Sequence, residues 1–217
     1  MTEHTTQSGL LARWVSACRG AGGTAQPGQV EAAGVRLLHR WAQPHRRYHD
    51  TAHLIAVLDV VDDCAGTDRV RLAAWWHDAV YDPHATDNEQ ASADLAAREL
   101  AGLGVPGAVV ADVGRLVLLT VDHRPAPGDA DGELLCDADL AVLARPPGRY
   151  ADYAANIRAE YAHVPDEQFR AARAAVLRHL LSLPRLYHRP ALATRWESRA
   201  RTNLTTELRT LTDHPRG

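Results

Sequence analysis

Apolar residues recur at three- and four-residue spacing along nearly the whole chain, and no run alternates apolar and polar residues as a strand would. Ser8 precedes Leu11, Trp14 and Val15, where it can cap a first short helix. Gly20 to Gly28 is rich in Gly and Pro and reads as a loop. A helix follows from about Val30 to Trp41 and stops before Pro44, because the residue before proline avoids the α region. The next begins after Asp50 and puts Leu54, Val57, Leu58 and Val61 on one face. Another begins near Asp68, carries Val70, Leu72, Ala73 and Trp76, and is over by Pro83.

The same logic continues downstream. Thr86 and Asp87 can cap a helix through Leu95 and Leu100, with Gly102 or Gly104 at its end, and Thr86-Asp87-Asn88-Glu89 has the form of a capping box. Pro106 suits the first turn of a helix that carries Val109, Val113, Leu116, Val117 and Thr120. Pro, Gly and Asp crowd Arg124 to Glu133, which reads as a loop. A short helix holds Asp139, Leu140 and Leu143, and helices run from about Arg149 to Tyr161, Asp166 to Leu183 and Thr194 to Leu211. The pattern predicts an all-α, single-domain fold. Residues 1–28 form an N-terminal extension with one short helix and a Gly/Pro loop, and residues 29–213 form the main helical domain.

Composition narrows the function classes. A chain of 217 residues fits one domain of ordinary size. With 46% hydrophobic and 24% charged residues it is neither disordered nor collagen-like nor a coiled coil. A net charge of −3 provides no field for a nucleic acid polymer or an anionic membrane surface. All 24 basic residues are Arg, which excludes a Schiff-base lysine and a P-loop lysine. Cys18, Cys64 and Cys136 are odd in number and lack CxxC spacing, so they suit neither a disulfide framework nor a thiolate zinc site. No apolar run approaches the ~20 residues of a membrane helix. The opening MTEHTTQSG has no basic segment followed by an apolar one, so no signal peptide is expected and the expected compartment is the cytoplasm.

Histidine is the unusual count: there are 12, as many as Phe, Trp and Tyr together. His49 and His53 are four apart, which on a helix puts both imidazoles on one face. His77 and Asp78 sit side by side at the end of an apolar helix, and Asp137-Ala138-Asp139-Leu140 joins carboxylates to another apolar run. One His of the first pair, His77-Asp78 and one Asp of the last element together supply two nitrogens and two carboxylates. Such a mixed set suits Mn, Fe, Co, Zn or Mg and leaves coordination positions for water and substrate. Taken singly, Asp50 is also a natural helix N-cap, and Asp139 a carboxylate favoured in a helix first turn.

The order His, His-Asp, Asp resembles the signature of the HD superfamily of metal-dependent phosphohydrolases. Tyr48-His49-Asp50-Thr51-Ala52-His53 is similar to the YHNxxH element of its cyclic-nucleotide phosphodiesterase branch, with Asp50 where that element has Asn. The run Pro44-His45-Arg46-Arg47-Tyr48-His49, through Ala73-Trp75-His77-Asp78-Ala79-Val80-Tyr81-Asp82-Pro83, to Asp87-Asn88-Glu89 and Ser92 is similar to a bacterial group of HD phosphohydrolases. So are Asn156-Ile157-Arg158-Ala159-Glu160-Tyr161 and Ala200-Arg201-Thr202-Asn203-Leu204. The resemblance spans about Leu10 to Leu211 and implies a helical HD-type hydrolase domain.

It further implies that His53, His77, Asp78 and Asp139 ligate one or two divalent ions (Mn, Fe, Co, Mg, Ni or Zn). Asp78 would be able to bridge a second ion, and His49 would be a proton donor, not a ligand. Extra histidines in some branches make His123 a candidate for a second metal or a substrate phosphate, beside its ordinary reading as a helix C-terminal His. Asp82 can orient the attacking water or simply make a turn before Pro83. His84 reads as a loop residue. Arg46, Arg47 and Arg158 have the fork that matches phosphate, with Arg158 preferred. The expected substrate is a small phosphorylated metabolite, in first place a nucleotide, cut at a phosphoester or phosphoanhydride bond. Two other classes fit the same ligands: an HD-fold di-iron oxygenase and a non-catalytic metal- or nucleotide-binding module.

Overall fold

The structure, a computed structural model, describes residues 2–213, with side chains from Gln7 onward. Met1, the first residue of the expected extension, lies outside the described residues. All regular structure among the described residues is helical, as the periodicity predicts. By its contacts the chain parts into two compact units, Met1–Ala138 and Asp139–Gly217.

The first unit contains α1 (Thr2–Gly20), α2 (Pro27–Trp41), α3 (Thr51–Asp63), α4 (Asp68–Trp76), α5 (Asn88–Gly102), α6 (Gly107–Leu118) and α7 (Ala130–Asp139). A 3-10 turn, Leu119–Val121, extends α6. Helix α4 is the hub. Val70, Leu72, Ala73, Ala74, Trp75 and Trp76 are all buried, and α1, α3 and α6 pack around it. A helix that is apolar nearly all round has to be enclosed by others. Leu134, Leu135 and Ala138 of α7 join the same core.

Two tryptophans, Trp14 and Trp41, knit this core through polar tips as well as rings. Trp14 Nε1 donates to Val30 O at 2.8 Å, and its ring meets Trp75 edge-on at 5.5 Å. Trp41 Nε1 donates to Trp75 O at 3.1 Å. Fully buried indoles satisfied in this way combine large apolar area with a fixed orientation. Where α2 crosses α1, Gly34 leaves the space that the Trp14 ring occupies, since a Cβ there would lie 2.5 Å from Trp14 Cδ1.

The second unit follows with a 3-10 turn, Leu140–Ala144, then α8 (Pro147–Glu160), α9 (Asp166–Ser182) and α10 (Pro190–Thr212). Asn203 Nδ2 donates to Leu143 O and Arg145 O at 2.8 and 2.9 Å, closing the end of the turn. Buried Arg173 pairs with half-buried Glu207 at 2.8 Å, and the Tyr150 hydroxyl also donates to Glu207. Among the described residues no helix is long and apolar enough to cross a membrane.

Several local expectations need correction. Ser8 lies inside α1, not at its cap. Pro106 is the residue before α6. The capping box at Thr86–Glu89 does not form: Asp87 is the N-cap of α5, without a side-chain cap bond. The expected loop to Glu133 ends early because Asp129 Oδ1 accepts Gly132 N–H at 3.0 Å, which starts α7 at Ala130. Asp139 therefore closes α7 instead of sitting in a short helix with Leu140 and Leu143, which belong to the 3-10 turn.

Gly34→Ala tests the α1–α2 crossing. Alanine improves helix propensity by ~1 kcal/mol but forces a hydrogen-bonded indole to move, at ~1–3 kcal/mol. Thermal unfolding is expected to show a net fall in Tm of roughly 2–6 °C. A Tm equal to or above that of the parent protein would contradict this packing.

Candidate metal centre

Asp50 sets the start of α3. Its backbone is extended, and Oδ1 accepts from Ala52 N at 2.8 Å and His53 N at 3.2 Å. This satisfies donors that a helix start otherwise leaves unpaired. The helix thus begins at Thr51, and His53 lies in its first turn with 5% of its surface exposed. His49 precedes the cap, which corrects the expectation that His49 and His53 share a helix face. The chain entering the helix still brings the two rings to 5.9 Å, nearly perpendicular.

Helix α4 supplies the second imidazole. His77 is its C-cap residue, 1% exposed, and its backbone N–H donates to Ala73 O at 2.9 Å. Its Nδ1 lies 2.9 Å from Ala74 O. A carbonyl only accepts, so Nδ1 carries a ring proton. Nε2 faces His53, with 3.1 Å between the two Nε2 atoms. Asp78 Oδ2 lies 3.2 Å from His77 Nε2 and 3.7 Å from His53 Nε2. Asp139, delivered by the last turn of α7, completes the group: ligand atoms of His53, His77 and Asp139 all lie within 4.8 Å of one another.

These separations suit a metal ion. Ligand bonds of about 2.0–2.2 Å place neighbouring donors ~3–4 Å apart. The donors are two imidazoles and carboxylates, which fits borderline and hard divalent cations. Two buried imidazole nitrogens facing each other at 3.1 Å need a proton or a cation between them, and a shared ion meets that need for both. Burial works to raise the pKa of Asp78, but the neighbouring His77, His49 and His53 outweigh it and hold the carboxyl well below the usual carboxylate range. Asp78 is therefore an anion at the mouth of the His pair.

The walls are aromatic. Trp41, fully buried, stands 5.4 Å from the His77 ring and 6.3 Å from the His53 ring. Tyr48 lies 4.7 Å from His53, and His49 stacks on Tyr81 at 4.2 Å. The segment after Asp78 is pinned by residues whose role sequence alone did not reveal. Ser92 Oγ accepts Val80 N–H and donates to Val80 O, Asn88 bonds both the N–H and the C=O of Asp82, and His45 Nε2 meets Tyr81 O at 2.8 Å. Arg46 is buried and donates to the carbonyls of His49 and Asp78.

The other candidates are placed differently. Asp82 is exposed, and its Oδ1 accepts the His84 N–H at 2.9 Å, the geometry of a turn. His123 follows the 3-10 turn with φ +55°, its N–H donating to Leu119 O. The Arg158 fork donates to Tyr161 O and Val164 O at 2.7 and 3.1 Å and covers the Phe169 ring, closing the end of α8 within the second unit. Asp137 is fully buried in α7 and outside the His53–His77–Asp139 group. Arg47 is exposed. Burial pushes the Cys18 thiol up to about 12, so it is no thiolate nucleophile.

Comparison of the chain with protein-family models, curated proteins and solved structures finds no match.

The cap at Asp50 is testable by two substitutions. Asp50→Ala removes the acceptor for two N–H groups and is expected to lower stability by ~0.5–2 kcal/mol in urea unfolding, whereas Asp50→Asn keeps an equivalent acceptor and stays close to the parent protein. Equal losses for both would show that charge, not capping, is what Asp50 contributes.

Proposed function

We propose that this protein is a metal-dependent phosphohydrolase of the HD type that cleaves a phosphoester or phosphoanhydride bond in a small phosphorylated metabolite, in first place a nucleotide. The observation that carries the reading is the buried His53–His77–Asp139 group, with Asp78 against both imidazoles and His49 one ring away. A bound divalent ion supplies Lewis acidity toward phosphoryl oxygens and lowers the pKa of a coordinated water.

The chain's own residues divide the remaining work. His53, His77 and Asp139 hold the ion, with the Ala74 carbonyl keeping His77 in the ligating tautomer. Asp78, 3.2 Å from His77 Nε2 and 3.7 Å from His53 Nε2, would offer a second carboxylate to a bound ion. His49, half-buried and outside the three clustered ligands, would pass a proton to a departing oxygen. Phosphoryl transfer then depends mainly on positioning and charge stabilisation. The set offers no separate nucleophile, which agrees with attack by water.

Metal analysis followed by a screen of mono-, di-, tri- and cyclic nucleotides with Mn, Co, Mg and Ni tests this. His53→Ala, His77→Ala, Asp78→Ala and Asp139→Ala are each expected to lower metal content and abolish turnover. Full metal retention by Asp139→Ala, with loss in Asp137→Ala, would reassign the last ligand. Turnover is expected to be unchanged under strict anaerobiosis, because transfer to water needs no electron acceptor. A product formed only with oxygen would replace this reading with the oxygenase.

His49→Gln separates ligand from proton donor. It is expected to keep the metal and lose roughly 10²–10⁴-fold in kcat, with a much smaller loss on a nitrophenyl ester whose leaving group needs no proton. Loss of the metal itself would make His49 a ligand.

A further inference from the structure

Arg46 has the chemistry of a phosphate clamp, yet its side chain is turned inward and only 4% of the residue is exposed. Nη1 donates to His49 O at 2.7 Å and to Asp78 O at 2.8 Å, and Nη2 donates to Ala79 O at 3.3 Å. The guanidinium lies over the rings of both Trp41 and Tyr81, 5.4 Å from each centroid. One nitrogen thus joins the segment that leads into α3 to the turn that follows α4. The first segment bears His49 and delivers His53, and the second bears Asp78 and follows His77.

We propose that Arg46 is a positioning residue of the metal centre. By holding the His49 and Asp78 carbonyls on a single nitrogen, it sets the separation between the proton-donor imidazole and the ligand pair. The inference rests on the metal-dependent reading above. Carbonyl oxygens do not approach one another without a donor between them, and a planar fork pinned between two rings presents its donors in a fixed direction. Trp41 takes part twice, since the ring under Arg46 also backs His77 and His53. A shift of the guanidinium therefore reaches the ligands through their packing as well as through their backbone.

Charge and position make opposite predictions here. Arg46 is a buried positive charge close behind a cation site, so its Coulomb effect on a divalent ion is repulsive. Removing the charge alone would tighten metal binding. Loss of affinity on substitution therefore reports geometry.

The test titrates Co²⁺ into the full chain, read by tryptophan fluorescence and by the visible absorption of the bound ion. The variants are Arg46→Lys, Arg46→Met and the control Arg201→Lys. Arg201 likewise donates to two carbonyls, Leu181 O and Leu183 O, but in the second unit. Both Arg46 variants are expected to bind Co²⁺ roughly 10–100-fold more weakly with an altered visible band, the size of effect typical of groups that orient metal ligands. Arg201→Lys is expected to lose stability with unchanged affinity and band. Should Arg46→Met fail to fold, Arg46→Lys, which keeps the charge, decides alone. Arg46 variants that bind Co²⁺ as tightly as the parent protein, or more tightly, with the same band would overturn the proposal and leave the metal reading intact. Failure of the parent protein to bind Co²⁺ would overturn the metal reading and this inference with it.

Discussion

Everything at the candidate centre depends on the enclosure of α4. This nine-residue helix buries Val70, Leu72, Ala73, Ala74, Trp75 and Trp76, so its axis and its end are set by packing on several sides. A helix that could slide or rotate would move His77 with it. Interiors packed to crystal-like density permit little such adjustment. The Ala74 carbonyl that fixes the His77 tautomer lies on the same helix, so position and protonation of the ring are determined together. Trp41, bonded to Trp75 O and facing both imidazoles, carries that rigidity from the core to the ligands.

The indole N–H groups of Trp75 and Trp76 are buried without a partner, but the backbone of the connecting segments is paired, since each unpaired group costs on the order of 1–3 kcal/mol. The region solves this with short local bonds. Asp50 takes two N–H groups, Ser92 both donates to and accepts from Val80, and Asn88 does the same for Asp82. The same bonds give each connecting segment one conformation. Asn88 and Ser92, in the first turns of α5, thereby hold the chain that leaves Asp78.

The helical class and most elements were legible because the apolar spacing is regular, and Asp50 was readable as a cap because its side chain acts only on its own next turn. The errors arose where a tertiary bond or a local cap competed with composition. Pro, Gly and Asp before Glu133 suggested a loop, but Asp129 starts α7 within it. Conversely, Thr86-Asp87-Asn88-Glu89 fits a capping box, yet Asn88 is engaged with Asp82 and the box is absent. At the centre, residue types and order pointed to His53, His77 and Asp139 together, whereas the spacing argument for His49 failed in its premise, since the helix starts after it. The inward turn of Arg46 had no signal in sequence. An arginine that bonds distant carbonyls looks the same in one dimension as an arginine in solvent.

The charge balance of the centre bears on the proposed chemistry. Asp78 is held as an anion, Asp139 adds a second carboxylate, and His77 stands at the C-terminal, negative end of α4. This surrounding favours a cation and opposes a phosphate. The Arg158 and Arg46 forks both donate to backbone carbonyls. On the proposed reading, a bound ion would supply attraction for a phosphorylated substrate that these carboxylates oppose, so the geometry that fixes the ligands would bear on affinity for substrate as well as on the rate of its cleavage.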